Sequence, residues 1–189
     1  MMERSATIMG AIIGDTIGST YEFNPTKDYY FPLYDDAMNY TDDSIMTIAV
    51  ADWILKDESL SSERLIHTMR YYGNKYNPPK GGYGHLFSEW LRHAEMKAYN
   101  SWGNGSAMRV SAIGFAFPTL DKTLKVAEIS AAVTHNHPEG LKGAQATAAA
   151  IFLARKGESK ETIHKYITET FGYNFNRTCE AIRQTYLFD

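Results

Sequence analysis

With Cys179 as the only cysteine in 189 residues, neither an intrachain disulfide framework nor a thiolate zinc cluster can be built, and a reducing cytoplasm fits. The lone thiol is expected to be buried and inert. Long apolar runs are also missing, and nothing approaches the ~20 consecutive apolar residues of a membrane span. The amino-terminal stretch MMERSATIMGAIIGDTIG is interrupted by Asp15, and no small-residue cleavage site follows an apolar core. A soluble, cytoplasmic protein without a membrane partner is expected. An excess of one charge is absent too. The 19 Lys plus Arg against 22 Asp plus Glu leave a net charge of −3, with no basic stripe for a nucleic-acid backbone. Low-complexity segments, internal repeats and linkers are lacking, so residues 1–189 read as a single domain. With 44% hydrophobic residues it can bury one sizeable core.

Sustained period-two alternation is hard to find, whereas apolar residues recur at helical spacing nearly everywhere. The fold class read from this pattern is all-α, a multi-helix bundle. Helices are expected over about 5–19, about 43–56, from Ser61 or Ser62 to near Gly73, across HLFSEWLRHAEMKAY, and over about 106–117 behind GNGS. Further helices follow Asp121 to about Thr134 and run from Pro138 to a stop at Gly157, with Ser159 and Asn176 capping two more. Two long aromatic loops remain, NPTKDYYFPLYDDAMNY and NKYNPPKGGYG, of a length that often carries function. Gly10, Gly14 and Gly18 recur every four residues, so one face of the first helix is bare and suited to close packing.

Three stretches carry chemistry. In YTDDSIM, one carboxylate at a helix start can serve as a cap for free N–H groups, but two adjacent carboxylates and a hydroxyl also offer the hard oxygens that suit Mg²⁺ or Mn²⁺. In SWGNGSAMRV, a glycine-rich turn enters a helix. It reads either as a plain capped turn or as a cradle for an anion such as a pyrophosphate, and it matches neither a P-loop nor a dinucleotide fingerprint. THNHPEGLKGAQA places His135 and His137 before another helix start. Zinc lacks its remaining ligands, so these are substrate-contacting or turn histidines.

Taken in order, GAIIGDTIGSTYEF, YTDDSIM, GNGSAMR and THNHPEGLKGAQATA resemble the ADP-ribosylglycohydrolase family. The resemblance implies an all-α protein of that type with two Mg²⁺ or Mn²⁺ ions. It also implies hydrolysis of the bond between ADP-ribose and a protein side chain or small molecule. It makes Thr41, Asp42 and Asp43 metal ligands and gives Asp42, Asp43 and Glu22 catalytic roles, with Glu22 activating water or adjusting the substrate. Asn104, Gly105, Ser106 and Met108 would hold the pyrophosphate and distal ribose, and His135 would lie on the ribose side. Tyr29, Tyr30, Phe31 or Tyr34 would be available to stack on adenine. The family's later Gly-Gly-Asp-x-Asp-Thr motif has no counterpart here. A C-terminally shortened member is therefore expected, its second ion site incomplete and its apolar Tyr186, Leu187 and Phe188 in need of a cover such as a second copy in a homodimer. The alternative from another class is a catalytically inactive ADP-ribose-binding or interaction domain. A generic metal-dependent phosphohydrolase leaves the order of the four motifs unexplained.

Overall fold

Helical periodicity produces helices throughout the chain, and side-chain caps set most of their boundaries. The computed structural model describes residues 8–78 and 80–185, and among these there are nine α-helices and no strand. They are α1 Met9–Gly18, α2 Asp42–Lys56, α3 Ser62–Lys75, α4 His85–Arg92, α5 Ser111–Ala116, α6 Leu120–Ala132, α7 Pro138–Arg155, α8 Lys160–Phe171 and α9 Cys179–Arg183. A single 3₁₀ turn spans Asn104–Ser106. Thr41, Ser61, Thr119, His137, Ser159 and Thr178 each accept a backbone N–H at a helix start, a contribution of about 1 kcal/mol apiece.

Helix α2 is the central element. It packs against α1, α3 and α5, and it buries Ile45, Met46, Ala49, Val50 and Trp53. The Trp53 indole N–H donates to the Ser61 carbonyl at 3.1 Å, tying the end of α2 to the start of α3. Helices α6 and α7 form the most extensive pair, and α7 also packs on α5 and α8. One core joins α2, α3, α4, α5, α6 and α7 through Trp53, Leu65, Met69, Trp90, Val110, Ile113, Val126 and Ala144. Each large apolar side chain removed from water there contributes roughly 1.5–3 kcal/mol. A satellite cluster lies between α7 and α8 around Ala146, Ala149 and Ile167.

Several boundaries differ from the sequence expectation. Helix α4 ends at Arg92 instead of continuing towards Tyr99, because the Arg70 guanidinium takes the carbonyls of Trp90, His93, Ala94 and Met96. Helix α3 runs past Gly73, which stays helical where Leu91 of α4 packs against it. Thr119 rather than Asp121 caps α6, and Thr178 rather than Asn176 caps α9. No helix starts at Ser106: the chain makes a 3₁₀ turn and begins α5 only at Ser111. Cys179 is exposed, at the start of the short α9. The bare face of α1 meets no neighbour, since a Cβ at Gly10, Gly14 or Gly18 would find nothing within 4 Å. The expected residues 5–7 of that first helix, and Tyr186, Leu187 and Phe188, lie outside the described residues. Among the described residues, no helix is long and apolar enough to cross a membrane.

Candidate active site

The two carboxylates at the start of α2 are released from capping by a third. Asp15, on α1, accepts hydrogen bonds from the Thr41 backbone N–H at 2.9 Å and hydroxyl at 2.6 Å. It also accepts the Ser44 N–H at 3.2 Å and hydroxyl at 2.5 Å. The Thr41 hydroxyl in turn accepts the Asp43 N–H at 3.3 Å. Asp15 and Thr41 thus take the backbone N–H groups of Ser44 and Asp43 at the start of α2. The side chains of Asp42 and Asp43 are left facing a cleft.

That cleft has a volume of about 560 Å³. Glu22, Asp42, Asp43, Asn104, Gly105, Met108 and His135 all line it, together with Tyr83, Tyr99 and Arg109. Motifs separated by up to about a hundred residues meet here because α2 lies against α5 and the 3₁₀ turn lies against α7. The Thr47 hydroxyl on α2 donates to the Met108 carbonyl at 3.3 Å, a direct link between α2 and the glycine-rich stretch. Two expected site residues lie elsewhere. Thr41 is buried behind the carboxylates, and Ser106 is buried with its hydroxyl donating to the Gly140 carbonyl at 2.8 Å. Ser106 therefore anchors the turn to α7. Gly140 permits that approach, since a Cβ there would sit 2.6 Å from the Ser101 carbonyl oxygen.

Electrostatically the cleft is strained towards negative charge. Burial, with Asp43 and Glu22 close by, pushes Asp42 up from 3.8 to about 7. Burial, with Asp15 and Glu22, pushes Asp43 up to about 6. Carboxylates in this state favour either a proton or a cation. Among the described residues, no group of three or more His, Cys, Asp or Glu side chains is arranged to hold a metal ion by itself. Asp42 and Asp43 supply hard oxygens to the cleft. The Thr41 hydroxyl is engaged behind them, donating to Asp15 and accepting from the Asp43 N–H.

Another part of the lining is built around a buried cation. The Arg109 guanidinium is fully buried and donates to the Ser130 carbonyl at 2.5 Å and to the Thr134 hydroxyl at 3.0 Å. Thr134 is 2.8 Å from His135 Nδ1, and burial with Arg109 nearby drives His135 down to about 4. His137 serves as the N-cap of α7, its Nδ1 accepting from Glu139 N–H at 3.1 Å. Because the turn at Asn104 is a single 3₁₀ turn, any anion held there would be bound by local N–H groups rather than by a long helix dipole. The loop aromatics Tyr29, Tyr30, Phe31 and Tyr34 do not line the cleft, and Phe31 instead packs edge-on against Tyr21. Trp102, 74% exposed beside the turn, has its ring 6.2 Å from that of His137. A second, mostly apolar groove of about 920 Å³ shares Gly103 and Asn104 with the acidic cleft and continues between α7 and α8.

Sequence reasoning missed the organising role of Asp15, whose only signal was an acidic residue interrupting an apolar helix. It also missed Thr134, which spacing alone does not distinguish from any turn threonine.

A carboxylate pair, a glycine-rich turn and a histidine thus share one cleft of a helical protein. A family model for ADP-ribosylglycohydrolase matches residues 5–187, and the chain belongs to that family. It is 30% identical over 182 residues to ADP-ribosylhydrolase ARH3 of Homo sapiens, covering 80% of this chain and 50% of the relative. It is likewise 30% identical over 179 residues to ADP-ribosylhydrolase ARH3 of Xenopus tropicalis, covering 80% of this chain and 50% of that protein. ADP-ribosylarginine hydrolase Tri1 of Pseudomonas putida (strain GB-1) is 27% identical over 182 residues, covering 82% and 47%. The chain spans about half the length of these curated relatives.

Proposed function

We propose that the acidic cleft binds the ADP-ribose part of an ADP-ribosylated protein or small ADP-ribose conjugate and hydrolyses the bond from its anomeric carbon to the acceptor. The observation that carries this reading is the convergence of Glu22, Asp42 and Asp43 with Asn104, Gly105 and His135 on one cleft, with Asp15 doing the capping that would otherwise occupy the carboxylates. Membership of a hydrolase family supports it, and the relatives' printed activities favour hydrolysis over binding alone.

In this reading a water attacks the anomeric carbon while Glu22 takes its proton. The bond to the acceptor breaks with its electron pair going to the acceptor heteroatom, which picks up a proton. The oxocarbenium-like charge that develops faces Asp42 and Asp43. The hard carboxylate oxygens suit Mg²⁺ or Mn²⁺, and Asp42 and Asp43 would hold the ion in the cleft, with Thr41 placed behind them. When bound, such an ion supplies positive charge against the carboxylates and a grip on vicinal ribose hydroxyls. The protein side chains contribute the rest: the Asn104–Gly105 turn orients the pyrophosphate, and His135 contacts the ribose.

The test is release of free ADP-ribose from ADP-ribosyl-arginine and ADP-ribosyl-serine peptides with Mg²⁺ or Mn²⁺, beside Glu22→Gln and the double variant Asp42→Asn/Asp43→Asn. Turnover on at least one linkage, lost in both variants, is expected. Background release from every conjugate, with wild type and variants alike, would refute the reading.

A further inference from the structure

The lining of the cleft around Arg109 and His135 contains a directional chain of hydrogen bonds. A guanidinium carries only donors, so the 3.0 Å contact from Arg109 Nη2 makes the Thr134 hydroxyl oxygen an acceptor. Thr134 is fully buried, and a hydroxyl proton left without a partner there is costly. The acceptor within reach of that proton is His135 Nδ1, at 2.8 Å. A ring nitrogen that accepts a hydrogen bond carries no proton, so the proton of the neutral imidazole sits on Nε2. Burial and the Arg109 charge hold His135 down to about 4, which keeps the ring neutral at physiological pH.

We propose that Arg109 and Thr134 are positioning residues that lock His135 as its Nε2–H tautomer and present that N–H to the cleft as a fixed hydrogen-bond donor. The Nε2 edge faces the turn where residue 105 has no side chain: a Cβ on Gly105 would lie 2.9 Å from Nε2 and 3.0 Å from Cε1. Among the described residues, no protein group accepts from Nε2. The cleft side of this donor therefore suits an oxygen acceptor, a hydroxyl or phosphate oxygen. That this oxygen belongs to ADP-ribose rests on the function proposed above. Arg109 Nη2 thus sets the direction of two successive hydrogen bonds, its own to Thr134 and that from Thr134 to His135.

The direct test is the imidazole ¹⁵N spectrum of the histidine-labelled protein at neutral pH, with His135→Gln identifying the resonances. Wild type is expected to show a protonated Nε2 and an unprotonated Nδ1. Thr134→Val, which keeps the shape but removes the hydroxyl, should allow the Nδ1–H tautomer to appear, and Thr134→Ser should restore the wild-type pattern. ADP-ribose affinity, measured by calorimetry on the same proteins, should fall about tenfold in the valine variant and return within about twofold in the serine variant, the scale of one hydrogen bond. A merely structural threonine would leave the tautomer unchanged. A protonated Nδ1 in wild type, or an unaltered Nε2–H tautomer in Thr134→Val, overturns the proposal. If the tautomer behaves as expected while wild type binds no ADP-ribose, the relay stands and the functional reading falls.

Discussion

Asp15 holds Thr41 through two hydrogen bonds, accepting its backbone N–H at 2.9 Å and its hydroxyl at 2.6 Å, and so fastens α1 to the first turn of α2. The same carboxylate takes both donors of Ser44. Four bonds to one carboxylate make Asp15 the keystone of the cleft rather than a solvated surface acid. Asp15→Ala removes charge-assisted bonds to partly buried donors and should lower the unfolding free energy by about 2–4 kcal/mol. Chemical denaturation of the variant measures this. A loss below about 0.5 kcal/mol, the scale of an ordinary surface change, would contradict the assignment.

The raised carboxylates give a pH dependence of known sign. Asp42 and Asp43 titrate near 3.8 when unfolded but at about 7 and about 6 in the folded protein. The native state therefore binds more protons than the unfolded state between those values, and these two groups make the protein less stable as pH rises from about 4 to 7. Thermal melts of wild type should lose part of this slope in Asp42→Asn/Asp43→Asn. Added Mg²⁺ or Mn²⁺ should raise the melting temperature more at pH 8 than at pH 5, because protons compete for the same oxygens.

Asp57 behaves in the opposite sense. Its carboxylate accepts from the N–H and hydroxyl of both Ser59 and Ser61, and these bonds lower it to about 2. Its contribution is present above its ordinary value near 3.8 and is lost as pH falls towards 2. Asp57→Ala should lower the melting temperature at pH 7 and have little effect near pH 2.

Arg70 replaces helical hydrogen bonds where α4 ends. It donates to the carbonyls of Trp90, His93, Ala94 and Met96, and its guanidinium lies 4.6 Å from the Trp90 ring centroid. Arg70→Met keeps the stem but strands those acceptors, and it should cost about 1–3 kcal/mol by denaturant unfolding.

How much of this was legible in the sequence varies with the physical cause. The helices and their polar starts follow from local rules, so Ser61 and Ser159 cap as expected. The end of α4 does not, because Arg70, twenty residues earlier in the chain, takes over the carbonyls. The four motifs could be recognised as a set, and the cleft gathers most of the candidate site residues drawn from them. Ser106, however, spends its hydroxyl on Gly140, a partner 34 positions away that no spacing rule predicts. That the first turn of α2 is capped from outside was likewise not legible locally, because the group that takes the Ser44 donors, Asp15, arrives from another helix.

The most direct measurement is calorimetric titration of ADP-ribose into the protein with and without Mg²⁺ or Mn²⁺, beside Asp42→Asn/Asp43→Asn. The account predicts binding that strengthens with the cation and loses that dependence in the double variant. Absent binding, or binding that ignores both the cation and the carboxylates, would contradict it.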